Sequence, residues 1–324
     1  MNAVRRCVLK AMASLPLLTL GPARAETYPA RPVKVIVTTG PGGQGDTTAR
    51  LAAAKLTESL GQSFYIENMP GGGGNIAMNA AAHATPDGYT LLAATSNIVT
   101  NISLYPKIPY DPYKDFEPIS LMCSSPHVLV VHPSVAAKTV NELVALARAE
   151  PGKFSYASAG RGTPAHLAGE LFKLAFGVDI THVPFNGGGP ASQSVLGGHV
   201  PIAVSALPTS VTYIRGGQFR GLGMFSSRRA SALPDVPTMQ EATGHDLPAD
   251  IVNGLMAPAG TPKPIIELLH RETVKVLSMQ DTRDKLAAMG FDPVASTPEE
   301  FATWIRTEIV RWGKVIRDAN IALQ

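Results

Sequence analysis

Cysteine is almost missing from this chain, which has 324 residues and only two cysteines, Cys7 and Cys123. Cys7 lies in an N-terminal leader that we expect to be removed, so a disulfide within the mature chain and a cysteine-rich metal site are both excluded. Cys123 stands in an apolar run, which favours a buried thiol over a reactive one. Histidines at the spacings H-x-H or H-E-x-x-H are also missing, so we predict no metal site and no cofactor.

Charged residues and long apolar runs are also few. Charged residues make up 16% of the sequence and hydrophobic residues 45%, which is typical of a globular protein with a sizeable core. No apolar run has the length that a helix needs to span a bilayer. Outside residues 1–25 there are 24 basic and 25 acidic residues without a basic cluster, which argues against nucleic acid or an anionic membrane as a partner.

The first 25 residues have the pattern of a secretory signal peptide. The basic residues Arg5, Arg6 and Lys10 precede a short apolar stretch at 11–20, and an A-x-A cleavage pattern ends at Ala25. The arginine pair also resembles part of a twin-arginine signal. We therefore expect cleavage after Ala25 and export of the mature chain.

Short apolar strands alternate with helical patterns along most of the remaining chain, which predicts an α/β fold. A β-type run at 116–131 has no helix between its halves, so it can cross from one domain to the next. We place a domain boundary near Ser124 and expect the return crossing at 250–257. At the C-terminal end, apolar residues recur at helical spacing from Phe301 to Ile316, which predicts a helix packed onto a sheet.

Two helix starts carry residues that we expect to act as caps. Thr261, which precedes Pro262, is predicted to cap the helix that follows it. Asn75, which follows a run of four glycines, is predicted to cap a second helix.

A glycine-rich turn follows the first apolar strand. Gly40, Gly42 and Gly45 spell G-x-G-x-x-G, and Glu67 lies about twenty residues further on, as in a dinucleotide-binding fingerprint. Pro41 removes one backbone N–H from this turn, and export would take the chain to where soluble NAD is scarce. We therefore interpret the turn as a site for another anion, because the first amides of a helix have no intrahelical acceptor.

A second turn repeats this arrangement in the other half of the chain. The segment 158–163 follows a short strand, and Thr163 is the predicted cap of a helix with Pro164 at its first position. Ligands of open α/β sheets bind at the carboxyl ends of strands. If the two halves face each other, both turns converge on one cleft that can grip a small carboxylate from two sides.

A secreted α/β hydrolase is the alternative from another class. Ser158 does not stand in a G-x-S-x-G elbow, and nothing in the sequence fixes its geometry relative to a histidine. His166 is the histidine of most interest, since it lies in the first turn of the helix after Thr163.

Short motifs follow one another in a characteristic order along the chain. The first half has YP-RP at 28–32, PGG at 41–43, EN-PG at 67–71 and PDGYT at 86–90. The second half has YAS at 156–158, GT at 162–163, HLAGE at 166–170, VPF at 183–185, LPDVPT at 233–238 and APAGTP at 257–262. Together they cover nearly the whole mature chain, and in this order they resemble the Bug family, the substrate-binding proteins of tripartite tricarboxylate transporters.

This resemblance implies a two-lobed periplasmic binding protein of type II that closes on its ligand like a Venus flytrap. The first lobe would comprise residues 26–124 and 253–324, and the second lobe residues 125–252. The chain would be a monomeric receptor, without enzyme activity, for a small organic carboxylate, expected to be a dicarboxylate. It would deliver this ligand to the large and small membrane subunits of the transporter, or report it to a two-component sensor.

The resemblance also implies that two loops hold the ligand, largely through backbone amides. Arg161 could pair with a second carboxylate, and Ser205 stands where an acidic residue often follows the strand, which favours a ligand without an amino group. The expected ligand-binding residues are Thr39, Pro41, Gly42, Gly43, Asp46, Thr47, Asn97, Ser158, Ala159, Gly160, Arg161, Gly162, Thr163, His166, Phe185, Asn186 and Ser205.

Overall fold

The computed structural model describes residues 28–321, and the predicted signal peptide lies outside this range. The described chain forms two β-sheets flanked by helices. The strands, in chain order, are β1 (Val33–Val37), β2 (Phe64–Asn68), β3 (Thr90–Thr95), β4 (Phe116–Ser125), β5 (His127–Val131), β6 (Ser155–Ser158), β7 (Thr181–Pro184), β8 (Ile202–Ala206), β9 (Arg220–Phe225), β10 (Ile251–Pro258) and β11 (Asp292–Pro293). The first sheet has the order β11-β4-β10-β3-β1-β2, and the second has the order β7-β6-β8-β5-β9.

The helices lie between these strands and at the C-terminal end. In chain order they are α1 (Gln44–Leu60), α2 (Asn75–Ala82), α3 (Asn97–Leu104), α4 (Val140–Ala149), α5 (Pro164–Phe176), α6 (Gly188–Leu196), α7 (Leu207–Arg215), α8 (Met239–Thr243), α9 (Lys263–Ser278), α10 (Gln280–Ala288) and α11 (Pro298–Asp318). The predicted α/β fold with two lobes is therefore confirmed. None of the helices within 28–321 is both long and apolar enough to cross a membrane.

Each sheet contains a parallel core built from strand–helix–strand units. In the first sheet β1 pairs in parallel with β2 and β3, and α1 connects β1 to β2. In the second sheet β6 pairs in parallel with β7 and β8. The strands β1 and β3 are almost fully buried because helices cover both faces, as parallel sheets require. Consequently the carboxyl ends of the parallel strands, where loops lead into helices, are the natural positions for a ligand.

The chain crosses between the two sheets at two adjacent places. Strand β4 ends at Ser125 in the first sheet and β5 begins at His127 in the second, with Pro126 between them. The return passes through Ala249, whose amide donates to Phe225 O, into β10 of the first sheet. The ring nitrogen Nδ1 of His127 lies 2.6 Å from Ala249 O, so the two crossings are hydrogen-bonded to each other.

The C-terminal helices pack against the first sheet. Helices α9 and α11 both contact β4. The predicted apolar stripe of α11 is buried, with Phe301 and Ile316 at 1% and 2% exposure. Gly254 of β10 lets the Phe301 ring approach so closely that a Cβ at this position would lie 2.3 Å from it.

The two predicted caps are wrong. Helix α2 has Gly74 as its N-cap, and Asn75 is its first residue, whose Oδ1 accepts hydrogen bonds from Asn101 and Tyr110. At α9 the N-cap is Pro262, which has no capping hydroxyl. The hydroxyl of Thr261 instead donates to Pro258 O at 2.7 Å, which closes the preceding turn.

Candidate functional site

A cleft of about 500 Å³ lies between the two sheets at the carboxyl ends of their parallel strands. Five helices begin at this cleft, namely α1, α3, α5, α6 and α7. Their N-cap residues all line it: Gly43, Ser96, Thr163, Gly187 and Ala206. Because the first amides of a helix have no intrahelical acceptor, the cleft is surrounded by backbone donors and by the positive ends of helix dipoles.

The loop between β1 and α1, which we call the first loop, is a tight turn. The amide of Gly43 donates to Gly40 O at 3.1 Å, and Gly42 has φ +77°, as the third position of a type II turn requires. Pro41 occupies the second position, where its fixed φ suits this turn and its missing N–H is not needed. The sequence pattern G-x-G-x-x-G therefore encodes a β-turn that leads into a helix.

The loop between β6 and α5, which we call the second loop, has the same turn. The amide of Thr163 donates to Gly160 O at 3.3 Å, and Gly162 has φ +74°. Arg161 takes the second position, as Pro41 does in the first loop. Gly160 is also required, because its φ is +139° and a Cβ would lie 3.2 Å from Phe185 O.

Asp46 lies behind the first loop and holds it in place. Its carboxylate accepts hydrogen bonds from the amide of Gly42 and the side-chain amide of Asn68, each at 2.8 Å, and forms an ion pair with Arg50. Burial raises the pKa of Asp46, but the hydrogen bonds from Arg50, Asn68 and Gly42 outweigh it and hold the pKa below its usual value. Asp46 does not line the cleft.

Arg161 and His166 lie on the far side of the second loop. Both line a separate cavity of about 610 Å³, together with residues of β7 and residues 319–321, which follow α11. The exposed Arg161 side chain does not line the cleft. The expectation that Arg161 faces a second ligand carboxylate therefore stays a prediction, and the side chain lies beside residues 319–321 of the first lobe.

No Asp, Glu, Lys or Arg of the described chain lines the cleft. The one titratable side chain among its lining residues within 28–321 is His127, whose pKa burial lowers to about 4. This imidazole is therefore neutral at neutral pH. A carboxylate in this cleft would be balanced by backbone amides and helix dipoles, without a cationic side chain.

Two buried polar atoms of the cleft have no hydrogen-bond partner within residues 28–321. They are the hydroxyl oxygen of Thr39 and the side-chain oxygen of Asn253. A buried polar atom without a partner costs about 1–3 kcal/mol, so a ligand that supplies a partner to either atom would gain affinity. The cleft also has apolar lining residues, among them Ala191, Val204 and Ile251, which suit a short hydrocarbon chain.

The structure brings together only some of the residues that the sequence selected. Those that line the cleft are Thr39, Gly42, Gly43, Asn97, Ala159, Thr163 and Ser205. Those that do not line it are Pro41, Asp46, Thr47, Ser158, Gly160, Arg161, Gly162, His166, Phe185 and Asn186.

Sequence reasoning missed several residues of the cleft. His127 and Asn253 stand on crossing strands, where no local motif marks them. The start of α6 at Gly187 and Gly188 was visible as a glycine turn before a helix, the same signal that identified the first loop.

Comparison with known proteins places this geometry in a family. The family model of the tripartite tricarboxylate transporter family receptor matches residues 48–321. The chain is 38% identical over 305 residues to protein BugT of Bordetella pertussis, with 94% of each chain covered. These matches confirm the resemblance to the Bug family.

Solved structures give the same result. A protein of R. palustris, solved with adipate, has a TM-score of 0.81 and 34% identity, with 91% of this chain and all of that chain covered. MatC from Rhodopseudomonas palustris, solved with bound malate, has a TM-score of 0.76 and 34% identity, with 89% of this chain and all of that chain covered. The chain therefore belongs to the receptor family of the tripartite tricarboxylate transporters.

Proposed function

We propose that this chain is a periplasmic receptor that binds a small organic dicarboxylate in the cleft between its lobes. It would deliver the ligand to the large and small membrane subunits of a tripartite tricarboxylate transporter. The observation that carries this proposal is the convergence of five helix N-termini on a cleft whose described lining has no charged side chain.

The cleft suits a carboxylate that must be released again. Its volume of about 500 Å³ lies within the usual range for small-ligand pockets. Each exposed helix N-terminus stabilises a nearby anion by roughly 0.3–1 kcal/mol, and by more when the site is partly buried. Several such contributions add up to useful affinity without a buried ion pair, so the open state remains accessible for transfer to the transporter.

The ligand class follows from the lining and from the relatives. Adipate and malate, seen with two relatives that are each 34% identical, are dicarboxylates without an amino group. No acidic side chain of the described residues lines the cleft here, and Ser205 forms a hydrogen bond with Thr209 at 3.0 Å. An ammonium group would therefore lose its hydration without gaining a carboxylate partner.

We also propose that the lobes comprise residues 26–124 with 253–324, and residues 125–252. The support is that each of the two sheets draws its strands from one of these units, apart from the last residue of β4 and the first two of β10. Closure would then bend the chain at the two adjacent crossings near Pro126 and Ala249. The protein would act as a monomer, which light scattering coupled to size exclusion tests.

One contact favours the hydrolase alternative. The hydroxyl oxygen of Ser158 lies 2.7 Å from Nε2 of His182, the distance of a nucleophile and its base. However, Ser158 is 0% exposed and does not line the cleft, and its hydroxyl oxygen also accepts the amide of Gly160. This pair therefore lacks access to a substrate, and we expect no hydrolysis of carboxylate esters.

The experiment is a thermal-unfolding screen followed by titration calorimetry. Adipate, malate and succinate are compared with aspartate, glutamate and the monocarboxylate hexanoate. A ligand at one hundred times its Kd adds roughly 2.7 kcal/mol of stability, which is easily detected as a rise in Tm. Stabilisation by an aminated dicarboxylate alone, or turnover of an ester, would contradict the proposal.

A further inference from the structure

The two loops of the cleft share a feature behind their turns. In the first loop the amide of Gly42 donates to the side chain of Asp46 at 2.8 Å. In the second loop the amide of Gly162 donates to Nδ1 of His166 at 3.0 Å. In both loops the donor occupies the third position of the turn, and the acceptor side chain stands four residues later, in the first turn of the helix.

The similarity extends to the neighbouring strand of each sheet. Asn68 of β2 donates both to Asp46 and to Thr39 O of the first loop. His182 of β7 stacks on His166, with ring centroids 3.9 Å apart and planes inclined by 14°, and its Nε2 lies 2.7 Å from the hydroxyl of Ser158. Each loop is thus held from behind by one helix residue and one residue of the adjacent strand.

We propose that His166 and His182 are the positioning residues of the second loop, equivalent in place to Asp46 and Asn68 of the first loop. They hold the turn so that its opposite side, at Ala159 and Thr163, faces the ligand. The expected effect on ligand affinity rests on the proposed function. The geometry of the loop can be tested without a ligand.

The hydrogen bond fixes the protonation state of His166. Nδ1 must be unprotonated to accept the amide of Gly162, so the imidazole carries its proton on Nε2. Burial, with the charges of Arg161 and Lys173, lowers the pKa of His166 to about 4 and keeps the ring neutral. Glu170 also faces the ring, with Oε1 3.9 Å from Nε2. Glu170 is bound by Lys173 at 3.0 Å and by the Tyr156 hydroxyl at 2.8 Å.

A neutral acceptor is physically suited to this position. A carboxylate in place of His166 would add a second negative charge beside Glu170, whereas Asp46 has Arg50 as a direct counter-ion. The histidine pair is packed on one side, because the His182 ring lies 4.9 Å from the Tyr156 ring and a Cβ on Gly169 would lie 2.3 Å from that tyrosine ring. Both histidines also line the second cavity of about 610 Å³.

The test compares substitutions that imitate different ring nitrogens. His166→Asn places its side-chain oxygen where Nδ1 stands and keeps the acceptor for Gly162. His166→Gln extends towards the position of Nε2, and His166→Leu removes both nitrogens. His83→Leu, which changes the exposed histidine directly after α2, is the matched control.

Two measurements are made on each full-length mature variant: adipate Kd by calorimetry, and amide hydrogen exchange of residues 158–163 without ligand. We expect the Leu and Gln variants to bind adipate about tenfold more weakly and to exchange faster in this segment. The Asn and His83 variants should stay within about threefold of the parent in Kd, because the hydrogen bond to Gly162 is kept or untouched.

Equal behaviour of the Asn and Gln variants would overturn the positioning role, and so would unchanged exchange in the Leu and Gln variants. If the parent protein binds no dicarboxylate of the panel, the proposed function fails instead. In that case the exchange comparison of the Asn and Gln variants still decides whether His166 positions the loop.

Discussion

Replacing Thr39 by valine should change stability and ligand affinity in opposite directions. Thr39 lines the cleft, and its hydroxyl oxygen is buried and has no hydrogen-bond partner within the described residues. Valine has the same branched shape, so the substitution removes the hydroxyl and preserves the packing. The unliganded protein loses only a polar atom that was buried without a partner.

The magnitudes follow from the cost of that atom. An unsatisfied buried hydroxyl costs about 1–3 kcal/mol, so Thr39→Val should stabilise the unliganded protein by about 1 kcal/mol and raise Tm by about 2–4 °C. A hydrogen bond to a charged group contributes about 1.5–3 kcal/mol. If this hydroxyl donates to the ligand carboxylate, the variant should therefore bind adipate roughly 10 to 150 times more weakly.

Calorimetric titration and thermal unfolding without ligand provide the two measurements. Thr273→Val is the matched control, since the Thr273 hydroxyl in α9 is likewise buried without a partner in the described chain but does not line the cleft. The control should gain stability and keep its affinity. If Thr39→Val binds adipate as tightly as the parent, the Thr39 hydroxyl does not contact the ligand and the reasoning is refuted.

Three further predictions concern stability. Asp46→Ala should lower Tm by roughly 5–12 °C in a melting experiment. The amides of Gly42 and Asn68 would lose their hydrogen bonds to a charged carboxylate, which are worth about 2–4 kcal/mol in total. An unchanged Tm would contradict the role of Asp46 behind the first loop. The free energy of unfolding, measured with urea, should fall as the pH drops from 6.5 towards 4. Burial lowers the pKa of His127, His166 and His182 to about 4, so at these three sites the unfolded chain binds protons first. Burial raises the pKa of Asp250 to about 6, which opposes this trend at one site, and stability that rises as the pH falls would contradict the burial of the three histidines. Gly254→Ala should lower the free energy of unfolding in urea by about 1–3 kcal/mol or more, since the new Cβ would lie 2.3 Å from the Phe301 ring. An unchanged free energy of unfolding would show that this ring can move freely.

The sequence predicted the parts of the fold that local physics determines. The glycines at the first turn require a left-handed backbone at Gly42, and Pro41 suits the position before it. The β-type run broken at Pro126 predicted the first crossing between sheets, because a proline cannot continue the ladder of hydrogen bonds. These signals need no knowledge of distant residues.

The remainder of the site depends on contacts that sequence spacing does not encode. Arg161 lines the second cavity beside residues 319–321, which are distant in the sequence. His166 and His182 come together only when β7 pairs with β6, and Asn253 reaches the cleft only through the pairing of β10 with β3. Thr261 had the chemistry of a cap but was used to close the preceding turn.

Titration of the mature protein with adipate or malate, beside the corresponding neutral diamides, tests the central claim most directly. The cleft offers donors to an anion and, among the described residues, no charged side chain. We predict that at least one dicarboxylate binds and that its diamide binds at least about 100-fold more weakly, since amide groups carry no charge for the helix dipoles to stabilise. Equal affinity for acid and diamide, or no binding of any dicarboxylate, would contradict the account.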